Sequence, residues 1–283
     1  MKNIVKVSVL MVLCLGFVAG CVTRGEKHSA TSVVDFLYPD SMPVIEPSIP
    51  QLKLPLRVGI AFVPSTNRYQ YGSMLTEQKK MELMKQIGDH FKAYPYIKNI
   101  ELIPSAYLRN KGSFQNLQQI KTMYNVDVVA LVSYDQIQFT DQGLLSFTYW
   151  TIVGAYIIPG EKNDTQTMLD TVVVDINSKK MLFRAPGMDR VKGISTPINL
   201  SEQLRIDSNA SYEKASTEMI KNLDLQLSAF KDKVKANPQE YKVISTPEYQ
   251  ARTGGGSLDI IWLLTIVAAG AASMMQRKKA MLQ

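Results

Sequence analysis

The chain has 283 residues, of which 46% are apolar, 20% charged and 8% aromatic. This composition excludes a disordered or collagen-like protein. Its two cysteines cannot build a disulfide scaffold, and its two histidines provide little material for a metal site or a histidine-based catalytic centre. The formal net charge is +7, but the segments 1–20 and 257–283 each contribute +2, which leaves +3 for the residues between them. That excess is too small to indicate a nucleic-acid partner.

Residues 1–20 have the composition of a secretory signal peptide. Lys2 and Lys6 form a basic start, and an almost wholly apolar run follows them. The run is shorter than the roughly 20 residues that a permanent membrane helix needs. Gly20 and Cys21 then resemble the lipobox of lipoproteins, in which cleavage occurs before the cysteine and its thiol carries a lipid. We therefore expect cleavage between Gly20 and Cys21, and acylation of Cys21.

The next segment, residues 21–55, is interpreted as a tether. Five prolines between Pro39 and Pro55 favour extended backbone. The segment Val33–Tyr38 is more apolar than a free linker requires, so we expect it to dock on the domain as an edge strand or a short helix. Val22 stands directly after the lipobox cysteine, which resembles the pattern of lipoproteins sent on to the outer membrane.

Residues 56–237 have the pattern of one mixed α/β domain. Strands and helices alternate at first, which implies a largely parallel sheet, and the later strands should form an antiparallel meander. An apolar stripe at every third or fourth residue predicts a long carboxyl-terminal helix packed on the sheet. Thr76 is a candidate helix cap and Asn125 a left-handed helix end. The predicted strands are 56–63, 97–103, 126–134, 147–158, 168–176 and 181–185, and the predicted helices are 76–93, 113–124 and 208–236.

Carboxylates near predicted strand ends are the best candidates for chemistry in this domain. Asp135 follows the strand that ends at Tyr134, at the edge where open α/β sheets bind ligands. Glu161 and Asp164 occupy a charged loop, and Asp170 lies in the next strand. Together they could bind a cation or act as an acid–base pair. The alternative is that the loop is charged because it is solvated and because Asp and Asn favour turns.

Other chemistry-bearing residues indicate structural roles. His28 lies in the predicted tether and is expected to be solvated, and His90 lies near the end of a helix, where its charge suits the helix dipole. No nucleophile elbow, phosphate-binding loop or metal-ligand spacing is present in the sequence. We predict no cofactor and no metal. An aromatic cluster is interpreted as packing, or as a partner surface if it is exposed; its members are Phe147, Tyr149, Trp150 and Tyr156.

The carboxyl end resembles a sorting signal. Residues 238–253 are polar and are interpreted as a linker, and residues 254–283 combine glycines, an apolar run just long enough to span a bilayer, and a basic end that should stay cytoplasmic. This combination resembles the GlyGly-CTERM signal, which the intramembrane protease rhombosortase cuts. Glycines at the membrane boundary let the segment unwind for cleavage, whereas an uncut tail would be a plain anchor. The expected cleavage region is Gly254, Gly255 and Gly256.

The paired end signals and several internal stretches resemble the rhombotarget lipoprotein family. That family has no established molecular activity, so the resemblance implies a location and a processing route but no catalytic residues. Asp259, near the start of the apolar tail, is a departure from the pattern. The central pattern also loosely resembles the α/β domains of TolB and of curli-secretion lipoproteins, at the level of fold alone. The internal stretches are Leu54–Pro64, Val129–Gln136, Tyr149–Tyr156, Gly160–Thr165 and Leu182–Gly187.

The sequence therefore predicts a bacterial cell-envelope lipoprotein with a non-enzymatic binding or assembly role. We expect a lipid anchor at Cys21, processing by lipoprotein signal peptidase and a rhombosortase-like protease, and passage through the inner membrane to the outer membrane or cell surface. The expected partner is an envelope protein or a second copy of the chain. One alternative is a component of a secretion or surface-assembly complex that resembles curli-secretion lipoproteins. The other is a hydrolase or cation-dependent enzyme that uses carboxylates near Asp135.

Overall fold

The computed structural model describes residues 24–39, 48–65, 75–142, 161–196 and 198–253. Both terminal signals, including Cys21 and the three glycines 254–256, lie outside these ranges, as do the predicted strand 147–158 and its aromatic cluster. The described residues form the predicted mixed α/β fold. The strands are β1 (Arg24–Ala30), β2 (Gln51–Leu54), β3 (Leu56–Phe62), β4 (Ile97–Ile103), β5 (Val128–Gln142), β6 (Glu161–Asp175), β7 (Lys180–Ser195) and β8 (Lys242–Ser245). The helices are α1 (Val33–Leu37), α2 (Glu77–Phe91), α3 (Ser113–Tyr124), α4 (Leu200–Ala236) and α5 (Pro247–Thr253).

The main sheet has the strand order β4-β3-β5-β6-β7. Strand β3 runs parallel to β4 and β5, whereas β5, β6 and β7 form an antiparallel meander, as the sequence predicts. These last three strands have 15, 15 and 16 residues, which corresponds to about 50 Å of strand. They are much longer than the sequence predicts, because each continues beyond the part of the sheet that contains β3 and β4.

On β5, residues 128–132 pair with β3, and residues 135–141 pair antiparallel with β1. The sheet therefore has two parts. We call the part with β3 and β4 the proximal half. The other part, built from β1 and residues 133–142, 161–170 and 186–195, is called the extension. In the extension β1 supplies the backbone hydrogen bonds that β3 is too short to provide.

Two apolar clusters hold the proximal half together. One lies under α2 and α4, and the other lies under α1 and α3 on the opposite face. Helix α2 begins after Thr76, whose hydroxyl accepts a hydrogen bond from the Lys79 N–H at 3.3 Å, and α3 ends at Asn125 in the left-handed conformation (φ 54°, ψ 44°). Both features confirm the sequence prediction.

The segments predicted as tether and linker contain regular elements that pair with the domain. Helix α1 buries Val33, Phe36 and Leu37, which confirms that this apolar segment docks as a short helix. Strand β1 joins the main sheet, and the four-residue strands β2 and β8 pair in parallel with each other. The sequences of β2 and β8 are too short and too polar to be distinguished from linkers. Each becomes recognisable as a strand only through its pairing with a segment far along the chain.

Helix α4 begins at Leu200, earlier than the predicted start at residue 208. Its 37 residues give a length of about 55 Å, so it spans both the proximal half and the extension. Its buried side is apolar over the proximal half but carries Asp207, Ser208 and Ser211 over the extension. Hydrophobic periodicity therefore reveals only its second part.

Candidate functional site

The carboxylates selected from the sequence all lie within strands of the extension. Asp135 is inside β5 rather than at its end, and Glu161 and Asp164 are in β6 rather than in a charged loop. Both placements correct the prediction. The residues around Asp164 alternate between the two faces of the strand, with Asn163 and Thr165 on the buried face and Asp164 on the outward face. The charged residues here therefore indicate the outward face of a strand and not a turn.

The structure does not bring Asp135 and Asp164 together. Asp135 is paired with Met168 across the ladder, whereas Asp164 is paired with Phe139. The two carboxylates therefore share one face but are separated by four residues along it, or about 13 Å. Even the widest carboxylate pairs of glycoside hydrolases are only about 9.5 Å apart. This spacing does not suit an acid–base pair.

Asp135, Asp164 and Asp170 each have a cationic or ionisable partner. His28 Nε2 and Asp135 Oδ1 are 2.8 Å apart, so His28 is held by β5 rather than free in a tether. Arg190 Nε donates to both oxygens of Asp164 at 2.9 and 3.0 Å, and these hydrogen bonds hold the pKa of Asp164 below its ordinary value. Arg184 binds Asp170 in the same way at 2.7 and 2.8 Å. Such pairing is typical of structural ion pairs.

The second histidine joins two helices. His90 Nε2 in α2 lies 2.6 Å from Asp224 Oδ2 in α4, and the Tyr94 hydroxyl donates to the other oxygen of Asp224 at 2.8 Å. The hydrogen bond to Asp224 is the main cause that raises the pKa of Tyr94. His90 therefore helps to fix the distance between α2 and α4 at one end.

The inner face of the extension is polar and buried. Gln136 Nε2 donates to Thr167 Oγ1 at 2.7 Å, and the Ser208 hydroxyl of α4 donates to Gln136 Oε1 at 2.7 Å. Gln138 Nε2 donates to the Leu204 carbonyl of α4 at 2.9 Å. Hydrogen bonds therefore attach α4 to the extension, in place of the apolar contacts of the proximal half. The sequence signal for this layer is the pair of glutamines at alternate positions of β5.

The outer face of the same strands carries apolar side chains between the ion pairs. Met188 and Ile194 are 59% and 65% exposed, and Ile137 and Met168 are half-buried. A shallow depression of about 430 Å³ lies over part of this surface. We call this surface the outer face; it comprises His28, Asp135, Ile137, Asp164, Gln166, Met168, Met188, Arg190, Lys192 and Ile194.

The edge of the sheet formed by β7 differs from the outer face, because α4 covers it. Glu218 accepts a hydrogen bond from the Met188 N–H at 2.7 Å, and Asn222 Nδ2 donates to the Pro186 carbonyl at 2.6 Å. The Ser211 hydroxyl donates to the Asp189 carbonyl at 3.1 Å. Backbone groups at the middle of β7 are thus already paired, which protects the edge from strand addition.

Three further observations bear on function. In the described ranges, no group of three or more His, Cys, Asp and Glu side chains is arranged to hold a metal ion. None of the helices among these residues combines the length and the apolar character needed to cross a bilayer. The sequence matches no protein-family model and no curated protein.

Proposed function

We propose that this chain is a lipid-anchored bacterial envelope protein with a non-enzymatic assembly role. The outer face of the extension is its contact surface for another protein. The observation that carries the proposal is the contrast between the two faces of the same strands. The inner face is buried against α4, while the outer face leaves Met188 and Ile194 largely exposed.

The chemistry of the outer face supports a protein partner. Methionine adapts its shape to irregular partners, and methionine and arginine are both enriched in protein interfaces. The ion pair of Asp164 with Arg190 already neutralises those charges before a partner arrives. The partner is expected to bind to the face and not to the edge, because α4 occupies the middle of the β7 edge.

Site-specific photo-crosslinking in living cells tests this surface. A photoreactive amino acid at Met188 should yield a protein adduct in the intact, full-length chain. Met123 on α3 is a matched control, because it is 62% exposed compared with 59% for Met188. An adduct from position 188 alone supports the proposal. Equal adducts from both positions, or none from position 188, would contradict it.

The nature of the adduct distinguishes the two kinds of partner. An adduct with twice the mass of the chain indicates self-assembly, as expected for a component of a secretion or surface-assembly complex. A different mass indicates another envelope protein. The alternative of an enzyme gains no support from the carboxylates near Asp135, because the structure separates Asp135 from Asp164 and pairs each of them.

The proposed anchoring and sorting rest on the resemblance of both ends to known signals. The intact mass of the native protein tests them directly. A mass that includes acyl chains on Cys21 and lacks the residues after the glycines 254–256 is the expected result. A mass that retains Arg277 to Gln283 would mean that the tail is a permanent anchor.

Replacing the three glycines with leucines tests the proposed cleavage region. We expect this change to block cutting, because a continuous apolar helix does not unwind at the membrane boundary. Loss of the tail in that variant would show that the glycines are not the recognition element.

A further inference from the structure

A crevice lies between α2 and α4 on the inner side of the proximal half. Helix α2 packs on β3 and β4, while α4 packs on β6 and β7, so the space between the two helices lies over β5. They are joined at one end by His90 and Asp224, and at the other by a hydrogen bond from the Tyr212 hydroxyl to the Lys79 carbonyl at 3.3 Å. These bridges fix the spacing between the two helices. A cavity of about 80 Å³ remains between them.

The cavity is lined by apolar and aromatic side chains. Val128 and Ala130 of β5 form part of its floor, Ile87 belongs to the α2 wall, and Leu223 and Leu227 belong to the α4 wall. No polar surface faces the space. A site without polar partners does not hold an ordered water molecule, and apolar cavities of this kind bind hydrocarbons or xenon instead.

The cavity reaches the surface of the molecule. Tyr96, Phe183 and Leu227 belong to its lining and remain partly exposed. Its volume of about 80 Å³ is roughly half that of an engineered cavity of about 150 Å³ that binds benzene. The cavity therefore suits the last few carbon atoms of a chain that enters from outside, and not a whole lipid.

A cation lies at its rim. The ammonium group of Lys231 is 5.3 Å from the centre of the Tyr96 ring, and the same ring lines the cavity. The rim carboxylate Asp224 is already engaged by His90 and Tyr94. An apolar crevice with a cation at its opening is complementary to an alkyl chain that ends in an anionic group.

We propose that this crevice binds a free fatty acid, with the end of its chain between α2 and α4 and its carboxylate near Lys231. The proposal concerns a different surface from the outer face and does not depend on the assembly role. A medium-length chain suits the site, because a few carbons fill the cavity and the rest extend to the rim. The binding is reversible, and no bond is formed or broken.

A photoreactive decanoate with a diazirine at the chain end tests the site. The full-length protein in lipid nanodiscs is labelled and its peptides are identified by mass spectrometry. We expect saturable labelling on peptides that contain Ile87 and Leu223. Labelling spread evenly over the surface, or labelling that does not saturate, would overturn the proposal.

Variants at three positions sharpen this test. Ala130→Leu fills the floor and should reduce labelling at least fivefold, and Ala130→Val replaces it if the larger side chain prevents folding, as judged by circular dichroism. Lys231→Gln should reduce labelling about threefold. Lys221→Gln, at an exposed position on the same helix, should leave it unchanged. The probe partitions equally into nanodiscs in all samples, so unchanged labelling in the Ala130 variant would show that the crevice is not the site.

Discussion

The proximal half and the extension share three strands and one helix, yet different interactions stabilise them. In the proximal half, residues 128–132 of β5 are apolar and buried on both faces. In the extension, the same strand buries Gln136 and Gln138 on one face and leaves the other partly exposed. Continuous backbone pairing therefore does not require a continuous apolar core where hydrogen bonds join the polar groups that replace it, as they do for Gln136 and Gln138.

This difference predicts how each half responds to substitution. An apolar core loses stability in proportion to the contacts and volume removed. A hydrogen-bonded layer contributes only about 1 kcal/mol per bond in net terms, but leaving one partner unpaired costs about 1–3 kcal/mol. The extension is thus sensitive to removal of single partners and tolerant of removal of complete pairs.

The largest effect is expected where α4 crosses from one half to the other, at Gly187. A Cβ atom there would overlap the Ala215 carbonyl oxygen and would lie 2.5 Å from the Met219 nitrogen, both in the backbone of α4. Gly187→Ala must therefore push α4 away from β7. We expect it to lower the free energy of unfolding by more than about 3 kcal/mol, as measured by urea denaturation.

Gly88→Ala is the matched control. A Cβ atom at Gly88 would meet its nearest neighbours, Ile100 and Leu102, at 3.5 and 3.6 Å, which are ordinary contacts. Because alanine is the better helix former, this variant should be unchanged or more stable by about 0.5–1 kcal/mol. Equal effects of the two substitutions would show that α4 is not held closely against β7.

Removal of an apolar side chain from the proximal half should have the next largest effect. Leu131 is fully buried among the side chains of α1, α3 and the sheet. We expect Leu131→Ala to cost about 2–5 kcal/mol, because the methyl groups leave a cavity. Urea denaturation monitored at several pH values should give the same loss throughout. A loss below about 1 kcal/mol would mean that this half is loosely packed.

A single substitution in the polar layer should cost less stability, and a compensating substitution should restore part of the loss. Gln136→Leu leaves the Thr167 hydroxyl without its partner, whereas the Ser208 hydroxyl keeps a second partner in Tyr134, so the change should cost about 1–3 kcal/mol. The double variant that adds Thr167→Val removes the unpaired hydroxyl and leaves Ser208 with Tyr134, so we expect it to recover part of the loss. A double variant that is less stable than the single one would show that the layer is not organised in pairs.

The sequence predicts the proximal half well because that half follows hydrophobic periodicity. Continuous apolar runs indicate β3 and β5, and Thr76 and Asn125 mark helix ends by chemistry that is local. The stripe of α4 is recognisable from Tyr212 onward for the same reason. These signals need no information from distant parts of the chain.

The extension is not predictable in this way, since its evidence is non-local. Gln136 and Gln138 are polar residues of a kind common in loops, and only their hydrogen-bond partners on α4 explain why they are buried. The pair of His28 and Asp135 joins positions 107 residues apart. The prediction placed Asp135 at a strand end and Asp164 in a loop, whereas both lie inside long strands, and the sequence could not show that His28 and Arg190 pair with them.

The smallest effect is expected at the ion pair of Asp164 and Arg190 on the outer face. Because the folded state lowers the pKa of Asp164, the pair contributes stability above the ordinary pKa of an aspartate. That contribution is lost as the pH falls through the lowered value. Arg190→Gln should therefore reduce stability slightly at neutral pH and not at all in strong acid, where Asp164 is protonated in both proteins. Nuclear magnetic resonance of the Asp164 side chain should show its pKa rising in the variant. An unchanged pKa would mean that other groups, such as the neighbouring Lys192, keep Asp164 ionised and that Arg190 contributes little to it.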